Sequence, residues 1–197
     1  VKKNSYVYDY QMVKKREIIN EKRKLLKENN KKKHEENAEL KIQKYSARYL
    51  VYGPVGFLSQ YWQRFFNYEI IGQDEIEGKK TIVISASPTE LREENYYIGK
   101  IWVDENDCSI LKIEWDTRYI QDFEKKLPSS VGILQRNLIW RVFYEVEKSG
   151  VRFPSRQFIE ESFIDKEGKK WPRYAVSIIY DNYKFFTVET EVKLRSS

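Results

Sequence analysis

Residues 96–116, YYIGKIWVDENDCSILKIEWD, constrain the fold more than any other stretch. Residues 99–104 alternate in polarity and carry a tryptophan, and residues 110–115 run apolar, polar and apolar again at period two. Period two belongs to an extended chain, in which successive side chains point to opposite faces. The polar break at Glu105, Asn106 and Asp107 is short, so the two strands are expected as antiparallel neighbours. Such a hairpin needs further strands beside it and an apolar cover over one face.

The alternation recurs along the chain. Tyr6, Tyr8, Tyr10 and Met12 fall on one side of an extended segment, with Val7, Asp9 and Gln11 on the other. This strand reads through to Ile19, with a turn expected at residues 20–22. Residues 40–52 alternate again and stop at Gly53 and Pro54. Residues 68–71 and 80–86 are the next expected strands, with polar residues 73–75 and Glu77-Gly78 between them. Further on, Leu138, Trp140, Val142, Tyr144 and Val146 share one face, while Ile139, Arg141, Phe143, Glu145 and Glu147 share the other. Turns at Ser149-Gly150, Glu167-Gly168 and Asp181-Asn182 then separate segments 151–164, 171–180 and 186–194. In the last of these, Phe186, Val188, Thr190, Val192 and Leu194 line one face.

One segment has a different period. At residues 55–67, Phe57, Leu58, Tyr61, Trp62, Phe65 and Phe66 recur at spacings of one, three and four. Those spacings gather six large apolar side chains on one broad helical face. The fold class expected is therefore mostly β (α+β): a curved antiparallel sheet of about ten strands, forming an unclosed β-barrel with a helix covering the open side. The composition agrees, since Tyr leads the aromatic set with 15 copies and its apolar ring with a polar tip suits sheets and cavity walls. The 197 residues are expected as a single domain, with a charged hairpin or loop insert at about 20–38.

That insert holds most of the charge asymmetry. Residues 14–44 carry twelve Lys or Arg and six Asp or Glu, which accounts for the whole net charge of +6. The plain reading is a solvated hairpin. The alternative is contact with an anionic membrane surface through Lys31, Lys32 and Lys33. No nucleic-acid partner is expected, because only Tyr10 and Tyr45 at the margins offer rings for bases to stack on. His34 stands inside this run without a second histidine or cysteine at ligand spacing, and reads as a surface residue.

The sequence contains no HExxH, GxSxG, phosphate loop or paired cysteines. Adjacent acids such as Glu93-Glu94 and Glu160-Glu161 point to opposite faces of a strand and say little about acid–base work. No enzyme activity, metal or cofactor is expected. Cys108 is alone, so no internal disulfide forms. No run of about 18 apolar residues occurs, so no helical membrane span is expected. The chain opens on Val1 directly before a charged strand, and a removed upstream segment is expected.

The motif GKIWVD at residues 99–104, followed by ILKI at 110–113, resembles the "GKIWID … ILRIE" hairpin of bacterial LolA-like proteins, the outer membrane lipoprotein-sorting family. Residues 181–190, DNYKFFTVET, resemble the "YSDYRRF" ending of some relatives. The likeness extends from about residue 68 to the end and implies an unclosed barrel wrapped over helices. It implies a hydrophobic cavity that shelters acyl chains in the periplasm. Phe57, Leu58, Tyr61, Trp62, Phe65, Phe66, Trp102, Trp115 and Trp140 are the expected cavity-lining residues, against the plainer reading of ordinary core packing. The function expected is a periplasmic carrier of lipid or lipidated protein. The alternative is a non-enzymatic envelope interaction or sensor module with a filled core and a protein partner. Patterning does not decide between a filled core and a hollow one.

Overall fold

Twelve strands and their tight turns make up what the computed structural model describes, namely residues 3–15, 18–41, 63–90, 98–116, 135–165 and 167–184. The chain divides into two compact units, Val1–Tyr52 and Gly53–Ser197.

The first unit is a three-stranded antiparallel sheet of β1 (Tyr6–Lys15), β2 (Ile18–Glu28) and β3 (Lys31–Glu36), in that order. β2 starts at Ile18, so residues 20–22 lie within a strand and do not form the expected turn. The register explains this: Met12, Val13, Lys14 and Lys15 pair with Glu21, Asn20, Ile19 and Ile18. Asn29 and Asn30 turn β2 into β3 with φ of 47° and 64°. Left-handed φ at both positions is what a two-residue hairpin turn requires, and asparagine tolerates it. The core here is small. Leu25 and Ala38 are buried, and Tyr6, Tyr8 and Tyr10 stand half-buried on the Leu25 side of the sheet. Tyr8 Oη accepts a bond from the Lys41 amide at 3.1 Å and donates to the Glu39 carbonyl at 3.3 Å.

The second unit contains a seven-stranded antiparallel sheet in the order β12-β11-β8-β7-β6-β5-β4. Its strands are β4 (Phe66–Ile76), β5 (Lys79–Pro88), β6 (Ile98–Asp104), β7 (Ile110–Asp116), β8 (Gln135–Phe143), β11 (Arg156–Ile164) and β12 (Lys170–Ile179). A short ribbon of β9 (Val146–Lys148) and β10 (Val151–Phe153) lies between β8 and β11 in sequence. Among the described residues the sheet is open, with β4 and β12 at its edges. The β6–β7 hairpin matches the sequence expectation, with Ile101 opposite Ile113. Glu77-Gly78 and Ser149-Gly150 close two more tight hairpins, again with positive φ at both positions.

No helix element occurs among the described residues. The expected helix at 55–67 is corrected at its end: Gln63 is helical, Arg64 and Phe65 turn, and Phe66 and Asn67 are already in β4, opposite Pro88 and Ser87. β4 continues through residues 73–75, which the sequence suggested as a connection. Backbone pairing along the whole of β5 outweighs the helical spacing of the aromatic side chains.

Bulges at Ile70/Gly72, Trp102/Val103 and Glu161/Ser162 interrupt the register. Each adds local twist and bends its strand. Pro172 sits beside the last of them, where a missing amide is tolerated.

Candidate functional site

The register of the seven-stranded sheet gives it two faces of different chemistry. On the first, cross-strand partners form one row over six strands: Ile84, Ile101, Ile113, Val142, Gln157 and Ile178. A neighbouring row holds Trp140, Ile159 and Val176, and the next holds Glu161 opposite Tyr174. Phe66, Ile113, Trp140, Val142, Ile159 and Phe163 on this face are each at most 9% exposed. This is an apolar surface with a few polar residues set into it.

Gln157 is the exception in its row, and its side chain is fully buried. Its Oε1 accepts a bond from Tyr180 Oη at 3.2 Å, while its Nε2 is buried without a hydrogen-bond partner. Tyr144, two residues beyond Val142, is 2% exposed and its hydroxyl also lacks a partner. Gln157 and Tyr144 therefore sit diagonally across neighbouring strands, roughly 7–8 Å apart by sheet geometry. Tyr183 lies close by, with its ring against Phe153 at 5.7 Å and its hydroxyl donating to the Pro154 carbonyl at 2.6 Å. Burial pushes the Tyr144, Tyr180 and Tyr183 phenols well above the usual tyrosine range, and Tyr144 is raised further by its two phenolic neighbours. Glu161, also buried, stands four residues along β11 on the same face.

The opposite face is charged, and most of its polar groups are paired, although Arg156 Nε and Ser162 Oγ are buried without a hydrogen-bond partner. Trp102 Nε1 donates to Asp74 Oδ2 at 2.9 Å, and Lys112 Nζ lies 3.7 Å from the centre of the Trp102 ring. Arg141 Nε donates to Glu114 Oε2 at 2.6 Å. Burial raises the Glu114 carboxyl, but the Arg141 bond and the Lys112 charge outweigh it and hold the net value below the usual range. A depression of about 300 Å³ opens on this face, lined by Ile139, Arg141, Phe143, Arg156, Phe158 and Glu160. Phe143 and Phe158 meet edge to face at 6.2 Å, and the Arg156 guanidinium lies 4.5 Å from the Phe143 centroid. Its charges are already matched by Glu145 and Lys170.

The expected cavity residues separate accordingly. Phe66 and Trp140 lie on the apolar face. Trp115 pairs through its backbone with Trp140. Trp102 lies on the charged face, because it pairs with Val83 and Lys112, one residue out of phase with Ile101 and Ile113. Phe65 is a half-exposed turn residue under the Arg64 guanidinium. Phe57, Leu58, Tyr61 and Trp62 lie outside the described residues.

Lys31, Lys32 and Lys33 are all exposed on β3 and do not form one patch. Lys31 faces Glu28 and Lys33 Nζ comes within 3.7 Å of its carboxylate, while Lys32 faces Lys27 on the other side. His34 is exposed. No group of acids, histidine and cysteine suited to a metal occurs among the described residues. The pair Gln157 and Tyr144 was missed by sequence reading: β11 places Gln157 and Glu161 among Ile159 and Phe163 on its inward face, so alternation there gives no signal, and Tyr144 read as one more member of an apolar face.

Comparison of the chain with protein-family models, curated proteins and solved structures finds no match.

Proposed function

We propose that the protein is a carrier that shelters acyl chains of a lipid or lipidated protein against the apolar face of its seven-stranded sheet. One observation carries the reading: a broad apolar face on an open antiparallel sheet with a few buried polar groups set into it. Pockets for small apolar ligands have this composition, many hydrophobic walls and a few convergent polar groups. Each methylene removed from water contributes about 0.8 kcal/mol, so an acyl chain binds through length and needs no reaction chemistry. In this reading the sheet is the wall of an unclosed barrel. The aromatic helix that the sequence predicts before β4 lies across its open side. The periplasmic setting rests on the resemblance of residues 99–104 and 110–113 to the lipoprotein-sorting hairpin.

Native mass spectrometry of the purified protein, followed by organic extraction, tests the proposal. A bound mass that extracts as acylated material is the expected result. An empty protein that also rejects a fluorescent acyl probe contradicts it.

A second reading, an envelope interaction module, draws on the charged face. Phe158 and Ile179 are 38% and 75% exposed beside the arginine-lined depression. Aromatic and arginine side chains dominate the energetic centres of protein interfaces. In that case the apolar face is a filled core and the partner is a protein.

A further inference from the structure

The acyl-carrier reading leaves open what part of a lipid the polar end of the apolar face would recognise. The two unpartnered donors answer this. Gln157 in β11 and Tyr144, the residue that follows the adjacent strand β8, both lie nine-tenths or more buried, and neither Gln157 Nε2 nor Tyr144 Oη has a hydrogen-bond partner. A buried donor left unsatisfied is costly, and native structures keep few of them without a reason. Gln157 is also oriented: its amide oxygen is fixed by the Tyr180 hydroxyl, which leaves the amine as the free end. Two donors set diagonally across a strand pair suit one acceptor oxygen between them.

The charge of that acceptor follows from the surroundings. Among the described residues, the groups that act electrostatically on the Tyr144 phenol are Tyr180 and Tyr183, with no lysine or arginine. Both are neutral phenols at neutral pH, as tyrosines ordinarily are, and burial raises them further. Arg152 does approach Tyr144, but at its backbone carbonyl, 3.5 Å away, and its charge is met by Glu147 and Asp107. Glu161 is buried further along the same face of β11. An anion placed there would lose its hydration and find no unmatched counter-ion among the described residues.

We infer that Gln157 Nε2 and Tyr144 Oη form the anchor for a neutral acyl carbonyl, an ester or amide oxygen, in preference to a free carboxylate. The inference rests on the carrier reading, since the anchor places the head of a chain that lies along Trp140 and Ile159.

The test uses the full chain and three fluorescent probes with the same alkyl chain: a methyl ester, the free fatty acid and a hydrocarbon without oxygen. The wild type is expected to bind the ester more tightly than the acid at neutral pH. Tyr144→Phe, which removes one oxygen atom, is expected to weaken the ester about tenfold, the worth of one buried hydrogen bond. It is expected to leave the hydrocarbon within about twofold. Gln157→Met is the second variant and is expected to show the same selectivity, with circular dichroism confirming that both fold.

Acid binding more tightly than ester overturns the neutral-carbonyl assignment. Equal effects on ester and hydrocarbon, or none, overturn the anchor while leaving the carrier reading standing, and the donors then hold water only. Failure of the wild type to bind any probe overturns the carrier reading and the anchor together.

Discussion

The two faces of the seven-stranded sheet differ in how they hold polar groups. The charged face is dominated by ion pairs and charge-assisted bonds, Trp102 with Asp74, Arg141 with Glu114, Arg156 with Glu145 and Lys170 with Glu160, and leaves only Arg156 Nε and Ser162 Oγ unmatched among its described buried polar atoms. On the apolar face Gln157 Nε2 and Tyr144 Oη are fully enclosed and unmatched. Satisfied pairs near water contribute modestly to stability and ask for no ligand. Buried donors without partners are destabilising in the empty protein. The difference separates a face of matched charges from a buried apolar face that carries unmatched donors.

The largest expected effect comes from the apolar face. Ile159 is 1% exposed between Trp140 and Val176, so Ile159→Ala is expected to lower unfolding free energy by about 2–5 kcal/mol in a urea titration. A loss below about 1 kcal/mol would mean that the site collapses or is not packed, and would weaken the contrast.

The second prediction opposes the two faces in sign. Trp102→Phe removes the indole bond to Asp74 and is expected to cost about 1 kcal/mol. Tyr144→Phe removes a hydroxyl with no partner, so it is expected to leave stability unchanged or raise it. If Tyr144→Phe destabilised as much as Trp102→Phe, the hydroxyl would be bonded in the native fold.

The pH profile sharpens the same comparison. The Trp102 indole, followed by the Glu75 amide, holds the Asp74 carboxyl below its ordinary 3.8. Stability from ionised Asp74 is present above that value and is lost as pH falls through the lower folded value. Tyr144 behaves in the mirror sense: burial holds it above its ordinary 10.0. Its stabilising contribution is present below 10.0 and is lost as pH rises toward the folded value. Asp74→Asn should flatten the acid limb of the thermal stability profile, and Tyr144→Phe the alkaline limb. A variant that moves the other limb breaks the assignment. The smallest effect is expected at Lys170, paired with Glu160 at 42% and 43% exposure. Lys170→Ala should change stability by about 0.5 kcal/mol or less in the same urea titration.

Much of the fold was legible because most strands put opposite chemistries on opposite faces. Leu138 to Val146 read as one apolar and one mixed face, and Trp140, Val142 and Tyr144 are buried as that pattern requires. The β6–β7 hairpin was legible for the same reason. Three things were not. The end of the aromatic helical pattern failed at Phe66, because local spacing carries no information about pairing with β5. The face of Trp102 was not legible, since its size singles it out in the sequence while its register with Val83 and Lys112 decides its direction. Gln157 was overlooked because β11 carries polar residues on both faces, so alternation there marks neither side as inward.

Photo-crosslinking with a fluorescent acyl ester that carries a photoreactive group on its chain, mapped by peptide mass spectrometry, tests the contrast most directly. Adducts concentrated on Trp140, Tyr144, Ile159 and their neighbours on the apolar face are the predicted result. Adducts on Phe143, Phe158 and Ile179, or no adducts above those of a denatured control, would contradict it.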